Sequence, residues 1–166
     1  MKLTIEQISE QYLRDAQKIY NYYILNSYSN FEEKILTFNQ FHKNYINIIS
    51  NKLPYLVALS EKKVVGLAYL NKFREKSGYR FAFENTIYVH HAHTRQGIGY
   101  KLLKEMLNDS KKNKNIKFII AVIGSRGSKG SLILHEKLGF KKTGVLKKIG
   151  FKNNIWIDCI FLQKNL

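Results

Sequence analysis

Along the first third of the chain the apolar positions change period twice. "LTIEQI" alternates and predicts a short strand. Beyond it Tyr12, Ala16, Ile19, Tyr20 and Tyr23 recur at helical spacing, so residues 9 to 26 read as an amphipathic helix with Ser9 as its N-cap. "NFEEKILTFNQFHKNYINII" continues in the helical period until Pro54, whose ring bars the preceding residue from helical geometry. "YLVALSEKKVVGLAYLNKF" then predicts a hairpin with strands at 55–60 and 64–73 and a polar turn around Glu61 to Lys63. After the loop "REKSGYR", the stretch "FAFENTIYV" alternates as a strand ending at Val89.

The second half shows a different order. Ile98, Leu102, Leu103, Met106 and Leu107 fall on one face of a helix of about four turns starting near Gln96 and Gly97. "IKFIIAVI" at 116–123 is a continuous apolar run, the signature of a strand covered on both faces. "GSRGSKGSLILHEKLGF" is a glycine- and serine-rich loop entering a short helix that Gly139 ends. Two more strands follow in "FKKTGVLKKIGF" and "IWIDCIFLQ", the second alternating through Ile155, Ile157, Cys159 and Phe161. No repeat or Pro/Ser-rich linker divides these elements, and 166 residues suit one domain, 1–166.

Composition narrows the setting. The chain is 45% hydrophobic and 24% charged, the profile of a folded protein rather than a disordered one. No apolar run approaches the roughly 20 residues of a bilayer span, and "MKLTIEQISEQ" has no apolar signal core, so a cytoplasmic location with no membrane association is expected. The lone Cys159 lies in an apolar strand and reads as packing. A formal charge of +16 invites a nucleic-acid partner. The lysines are dispersed, however, with "KKNKNIK" the one dense cluster, and no nucleic-acid-reading module accompanies them. Lys, Asn, Ile, Tyr and Phe are abundant together, as AT-rich coding would produce, which discounts the charge further.

The candidate chemistry begins at "HTRQGIGYKLLKEM". Gly97, Ile98 and Gly99 start a helix without large side chains in front of it, leaving its first N–H groups and its dipole open to an anion such as a phosphate, with Arg95 beside them. Two glycines where a helix meets a sheet also serve close packing, and the pattern alone leaves both readings open.

The whole order, strand, anion-seating helix, strand, short helix ending "HEKLGF", then two strands, resembles the GNAT superfamily of acyl-CoA N-acyltransferases, and within it the phosphinothricin acetyltransferase subgroup. The resemblance is carried by "IYNYYILNSYSNFEE", "VVGLAYLNKFREKSGYR", "ENTIYVHHAHTRQGIGYKLL", "LHEKLGFKKTG" and "IGFKNNIWIDCIFLQ", and covers nearly the whole chain. It implies an α/β (α+β) fold, a mixed and mostly antiparallel sheet of about seven strands splayed where acetyl-CoA wedges in and flanked by helices. It implies that the diphosphate of acetyl-CoA rests on the backbone of Arg95, Gln96, Gly97, Ile98, Gly99 and Tyr100, and that Ile87, Tyr88 and Val89 pair with the pantetheine arm as an added strand. Ser128 stands where relatives place an Asn on the cofactor, and Thr94 where they place Gln or Arg.

Amine acetylation needs a base for the amine, a donor for the oxyanion and an acid for the departing thiolate. By resemblance Glu84 is the base, the Val89 N–H the oxyanion donor and His135 the acid. The plainer readings are a solvent-facing strand glutamate and a structural helix histidine. His90, His91 and His93 lie together without a matching set of carboxylates or thiols, so no metal is expected. Arg74, Tyr79 and Arg80 match the acceptor pocket, and two guanidinium groups suit a small amino-acid-like amine with an acidic group, of the phosphinothricin or methionine sulfoximine type. Ala82 and Ile155 replace the Thr and Arg usual there. The resemblance further implies direct transfer in a ternary complex and a homodimer, with Trp156 and Asp158 serving packing and the subunit contact. The alternatives are an N-acetyltransferase for a polyamine, aminoglycoside or protein amine, or a basic binding module without catalysis on the same fold.

Overall fold

Two hairpin turns hold the sheet's register, each by two residues in the left-handed region. Glu61 and Lys62 (φ 50° and 64°) join β2 (Tyr55–Ser60) to β3 (Lys63–Lys72), and Asn153 and Asn154 (φ 49° and 58°) join β6 (Lys141–Lys152) to β7 (Ile155–Asn165). Two consecutive positive φ values match the right-handed twist of the flanking strands. The computed structural model describes residues 3–166. With β1 (Leu3–Gln7), β4 (Ala82–Val89) and β5 (Phe118–Gly124), these strands form one sheet of 7 strands in the order β1-β2-β3-β4-β5-β7-β6. Every pairing is antiparallel except β4 with β5.

The helices cover both faces. α1 (Leu13–Asn26) and α2 (Phe38–Ser50) lie on the face that carries Tyr55 and Tyr69, whose rings sit 4.8 Å apart with Tyr45 of α2 beyond them. α3 (Ile98–Lys112) packs on the opposite face at Gly66, where an added Cβ would fall 2.9 Å from Leu102 and 3.1 Å from the Tyr88 carbonyl. Glycine is what permits that approach. α4 (Lys129–Lys137) rests on β5. The core runs through both layers, with Leu13, Ile48, Val57, Leu67, Leu102, Met106 and Leu162 fully buried.

Several boundaries differ from the sequence reading. Residues Glu10–Tyr12 form a 3-10 turn and α1 starts at Leu13, while the Ser9 side chain makes no capping bond. The second helix does not begin at Asn30. Thr37 accepts from the Gln40 N–H and the Gln40 side chain reaches back to the Thr37 N–H, a capping box that fixes the start at Phe38. The segment from Ser27 to Thr37 is therefore a loop, and it borders the site. The strand read at 116–123 runs from Phe118 to Gly124, and Gly97 caps α3 instead of lying in its first turn.

Candidate active site

The sheet is cut at its centre. β4 pairs with β5 only from Ala82 to Glu84, against Phe118 to Ile120; beyond Glu84 the two strands part. A cleft of about 1110 Å³ fills the gap and continues to the start of α3. His90 N–H bonds to the Val65 carbonyl across to β3 (2.9 Å), so antiparallel alternation turns the amides of Val89 and Ile87 away from β3 and into the gap. The Val89 carbonyl, on that same side, accepts from the Tyr23 hydroxyl.

At one end of the cleft the backbone is bare. Arg95 (φ 61°) and Gly97 (φ 77°) both take the left-handed conformation, which turns the chain so that α3 opens with Ile98, Gly99 and Tyr100. The first helical bond is Lys101 N–H to the Gly97 carbonyl (3.1 Å), which leaves the three amides before it without a helical acceptor. A Cβ added at Gly97, or across the cleft at Gly127 and Gly130, would meet nothing within 4 Å, so the space between these glycines is open. A diphosphate fits such a cradle through helix-end amides and dipole.

At the other end lies Glu84. It is half-buried, and burial pushes its carboxyl above the ordinary value of 4.5, with the Arg74 guanidinium acting in the opposite sense. Tyr20, Tyr88, Asn30, Phe31 and Glu32 line the cleft with it. His135 of α4 also borders the cleft and is 2% exposed. Its Nδ1 lies 2.8 Å from the Ser131 carbonyl and its Nε2 lies 2.9 Å from Nδ2 of Asn85. A carbonyl only accepts, so Nδ1 carries the proton, and the neutral ring takes the Asn85 amide hydrogen at Nε2. Burial favours that neutral form by lowering the histidine's pKa, against the Ser131 bond. In this tautomer His135 offers no Nε2 proton to a leaving group.

The structure thus brings together Glu84, Ile87, Tyr88, Val89, Arg95, Gly97, Ile98, Gly99, Tyr100, Ser128 and His135 around one cleft. Gln96, Arg74, Tyr79 and Arg80 do not line it; Tyr79 is exposed and Arg80 lies over the Phe81 ring. Sequence reasoning missed Asn30 and Asn85, both buried polar residues on the cleft wall. The signal for Asn85 was available, a short amide in an apolar strand beside a glutamate. The three neighbouring histidines pack as rings: His90 and His91 stack 4.4 Å apart, Tyr22 stacks on His91 at 4.1 Å, and His93 meets His90 edge-on at 5.5 Å. Among the described residues no group of His, Cys, Asp or Glu is arranged to hold a metal ion.

The sequence profile of the Acetyltransferase (GNAT) domain matches residues 5–161. The chain is a GNAT acetyltransferase. It is 31% identical to the phosphinothricin N-acetyltransferase of Alcaligenes faecalis over 163 residues, 98% of this chain and 82% of that protein. The crystal structure of a GNAT superfamily phosphinothricin acetyltransferase from Sinorhizobium meliloti in complex with AcCoA superposes with a TM-score of 0.93 at 34% identity, covering 100% of this chain and 89% of that one. That of the Ribosomal-protein-alanine N-acetyltransferase from Brucella melitensis gives 0.94 at 31% identity, covering 98% and 99%. This GNAT protein is accordingly an acetyl-CoA-dependent N-acetyltransferase, and the cradle at Gly97 and the open edge of β4 are features that suit that cosubstrate.

Proposed function

We propose that this N-acetyltransferase moves the acetyl group directly, in a ternary complex, to the primary amine of a small amino-acid-like acceptor bearing an acidic group, of the phosphinothricin or methionine sulfoximine type. The observation that carries the reading is Glu84, a carboxylate held above its ordinary pKa by burial where β4 leaves β5, beside amides that face the gap. There it takes the proton from the acceptor ammonium, and the free amine attacks the thioester carbonyl; as the tetrahedral intermediate collapses the C–S bond breaks, and the departing coenzyme A thiolate takes up the second proton shed by the nitrogen that becomes the amide. The N–H of Val89 faces the oxyanion as it forms. The diphosphate rests on the amides from Arg95 to Tyr100, the pantetheine arm runs along Ile87 to Val89, and Ser128 lies at the edge of that seat, while Gln96 contributes its backbone and its side chain stays outside the cleft. Arg74, Tyr79 and Arg80 stand outside the cleft wall and meet the acceptor's acidic group only if the segment Phe73 to Phe81 folds inward, with Arg74 nearest through its field on Glu84.

The same wall supports a second acceptor class. Glu32 joins Glu84 at the acceptor end while no arginine lines that end, which favours a cationic amine such as a polyamine, an aminoglycoside or a protein amine. Release of free thiol from acetyl-CoA, measured across amino acids, sulfoximines, polyamines and peptides, separates the two. Turnover confined to acidic amino-acid-like amines supports the first, turnover confined to polycations replaces it, and none at all with no acetyl-CoA-dependent rise in melting temperature leaves a binding module.

Two further attributes belong to this reading. The β6–β7 arm exposes Leu146, Ile149, Phe151 and Trp156, with the last two rings 4.8 Å apart, and a second copy of the chain is the expected cover. Among the described residues no helix is long and apolar enough to cross a membrane, in keeping with a cytoplasmic enzyme.

A further inference from the structure

Lys152, at the end of β6, is 1% exposed. A lysine so deeply enclosed needs acceptors for its ammonium, and it has two, the carbonyls of Ile24 at 2.7 Å and of Asn30 at 2.6 Å. Neither belongs to the arm. Ile24 lies in the last turn of α1, where carbonyls have no helical donor and the dipole presents its negative end. Asn30 lies in the loop between α1 and α2, whose Ser29, Asn30, Phe31 and Glu32 form the cleft wall beside Glu84. Burial lowers the ammonium's pKa, and the nearby Glu33 and Glu32 act to raise it.

Two glycines press the same loop from beneath. At Gly150 an added Cβ would stand 2.3 Å from Cε1 of Phe31, and at Gly124 it would stand 2.8 Å from the Tyr28 carbonyl. The stretch from Tyr28 to Glu32 is thus seated on one ammonium and one bare backbone position of the arm, Lys152 and Gly150, and on Gly124 of β5, while the far end of the loop is tied to α1 by Gln17 and Asn21 at Leu36. Within the loop the Asn30 side chain accepts the Glu32 N–H at 2.9 Å, and from β4 the Tyr88 hydroxyl donates to the Ser29 carbonyl at 3.3 Å. Neither bond ties the segment to β6.

We propose that Lys152 is a positioning residue for the acceptor: by joining the end of α1 to the Asn30 carbonyl it holds the acceptor wall against the arm at a fixed distance from Glu84. The cofactor end of the cleft is built on a separate element, the start of α3. This rests on the acceptor site lying between Glu84 and the loop, as in the reading above. Removing the ammonium frees two buried carbonyls, which regain partners only if the loop lifts toward water.

The test pairs Lys152→Met, which keeps the length of the side chain and deletes the donor, with Gly150→Ala, which pushes Phe31 while leaving Lys152 intact. Both should raise the acceptor KM by about tenfold or more, the scale set by small displacements near reacting groups, and leave the acetyl-CoA KM within about twofold. Amide hydrogen exchange should speed up in residues 27–37 and stay unchanged in α3. Unchanged exchange in the loop overturns the proposal. So does faster exchange spread over the whole chain with both KM values moving together, which is the mark of general destabilisation. If the unaltered enzyme turns over no acceptor, the functional reading fails, and the exchange pattern alone decides the role of Lys152.

Discussion

Nδ2 of Asn85 lies 2.9 Å from Nε2 of His135 and bridges β4 to α4 beside the point where β4 parts from β5. The bond works only while the imidazole is neutral, because a protonated Nε2 has no lone pair to accept it. Asn85→Ala should cost about 1 to 3 kcal/mol, the penalty of a buried acceptor left alone, read from urea unfolding.

Acid should weaken the fold through the same ring. Burial lowers the folded-state pKa of His135 below 6.5, so the unfolded chain binds a proton first as pH falls. Stability therefore drops as pH falls from about 6.5 toward the folded value. A His135→Asn variant should flatten that limb of a stability profile measured between pH 7.5 and 5; an unchanged limb would place the effect elsewhere.

Glu84 carries the opposite sign. Its folded pKa is raised, so the folded state holds its proton longer than the unfolded state does, and ionisation at higher pH costs stability. Glu84→Gln should unfold at a higher temperature than the parent at pH 7 and at the same temperature well below pH 4.5. Its kcat should fall by about 10²-fold or more if the carboxylate is the base. Gained stability with full turnover would leave Glu84 buried but idle.

Arg74 touches that titration from outside the cleft. Because its charge holds the Glu84 pKa down, Arg74→Ala should move the acid limb of the kcat/KM profile to higher pH. A lost acceptor affinity with an unmoved limb would assign Arg74 to substrate alone.

At the other end of the cleft, Gly97→Ala forces a β-carbon into a left-handed residue with φ 77°, a strain of about 1 to 2 kcal/mol. Space is available for the methyl group, so the effect comes from the backbone, and relief of that strain reorients the amides of Ile98 and Gly99. Acetyl-CoA affinity, measured by calorimetry, should fall while the acceptor KM holds. Equal affinity would show that the diphosphate rests elsewhere.

Most of the architecture was legible because it is written in period and punctuation. The two apolar runs carrying Tyr55 and Tyr69 on either side of the polar turn at Glu61 to Lys63, the helical stripe from Ile98 to Leu107 and the glycine entry at Gly97 each specify an element by itself. The start of α2 was misplaced because Phe31, Ile35 and Leu36 mimic a helical stripe, whereas the deciding signal was the Thr37 and Gln40 pair. Lys152 was invisible, since a lysine near a turn reads as solvated; its partners are separated from it by more than a hundred residues. The arginines of "FREKSGYR" were read into the acceptor pocket from resemblance, and their loop conformation, with Arg80 over Phe81, is set by local contacts that no spacing reveals. Asn85 was visible as an amide in an apolar strand, but its bond to His135, 50 positions away, is beyond any local pattern.

The seam between β4 and β5 has a bearing on the life of the molecule as well as on its chemistry. From Asn85 to Val89 one edge of a central strand is left without a neighbouring strand, an interior vacancy in what is otherwise a continuous ladder. In the proposed reading the amide-bearing arm of the thioester enters there as a temporary rung, and each catalytic cycle would then also remove and replace part of the scaffold. Persistence against proteolysis should accordingly track the metabolic supply of acetyl-CoA, and the enzyme should be most fragile in the interval between releasing one coenzyme and taking up the next.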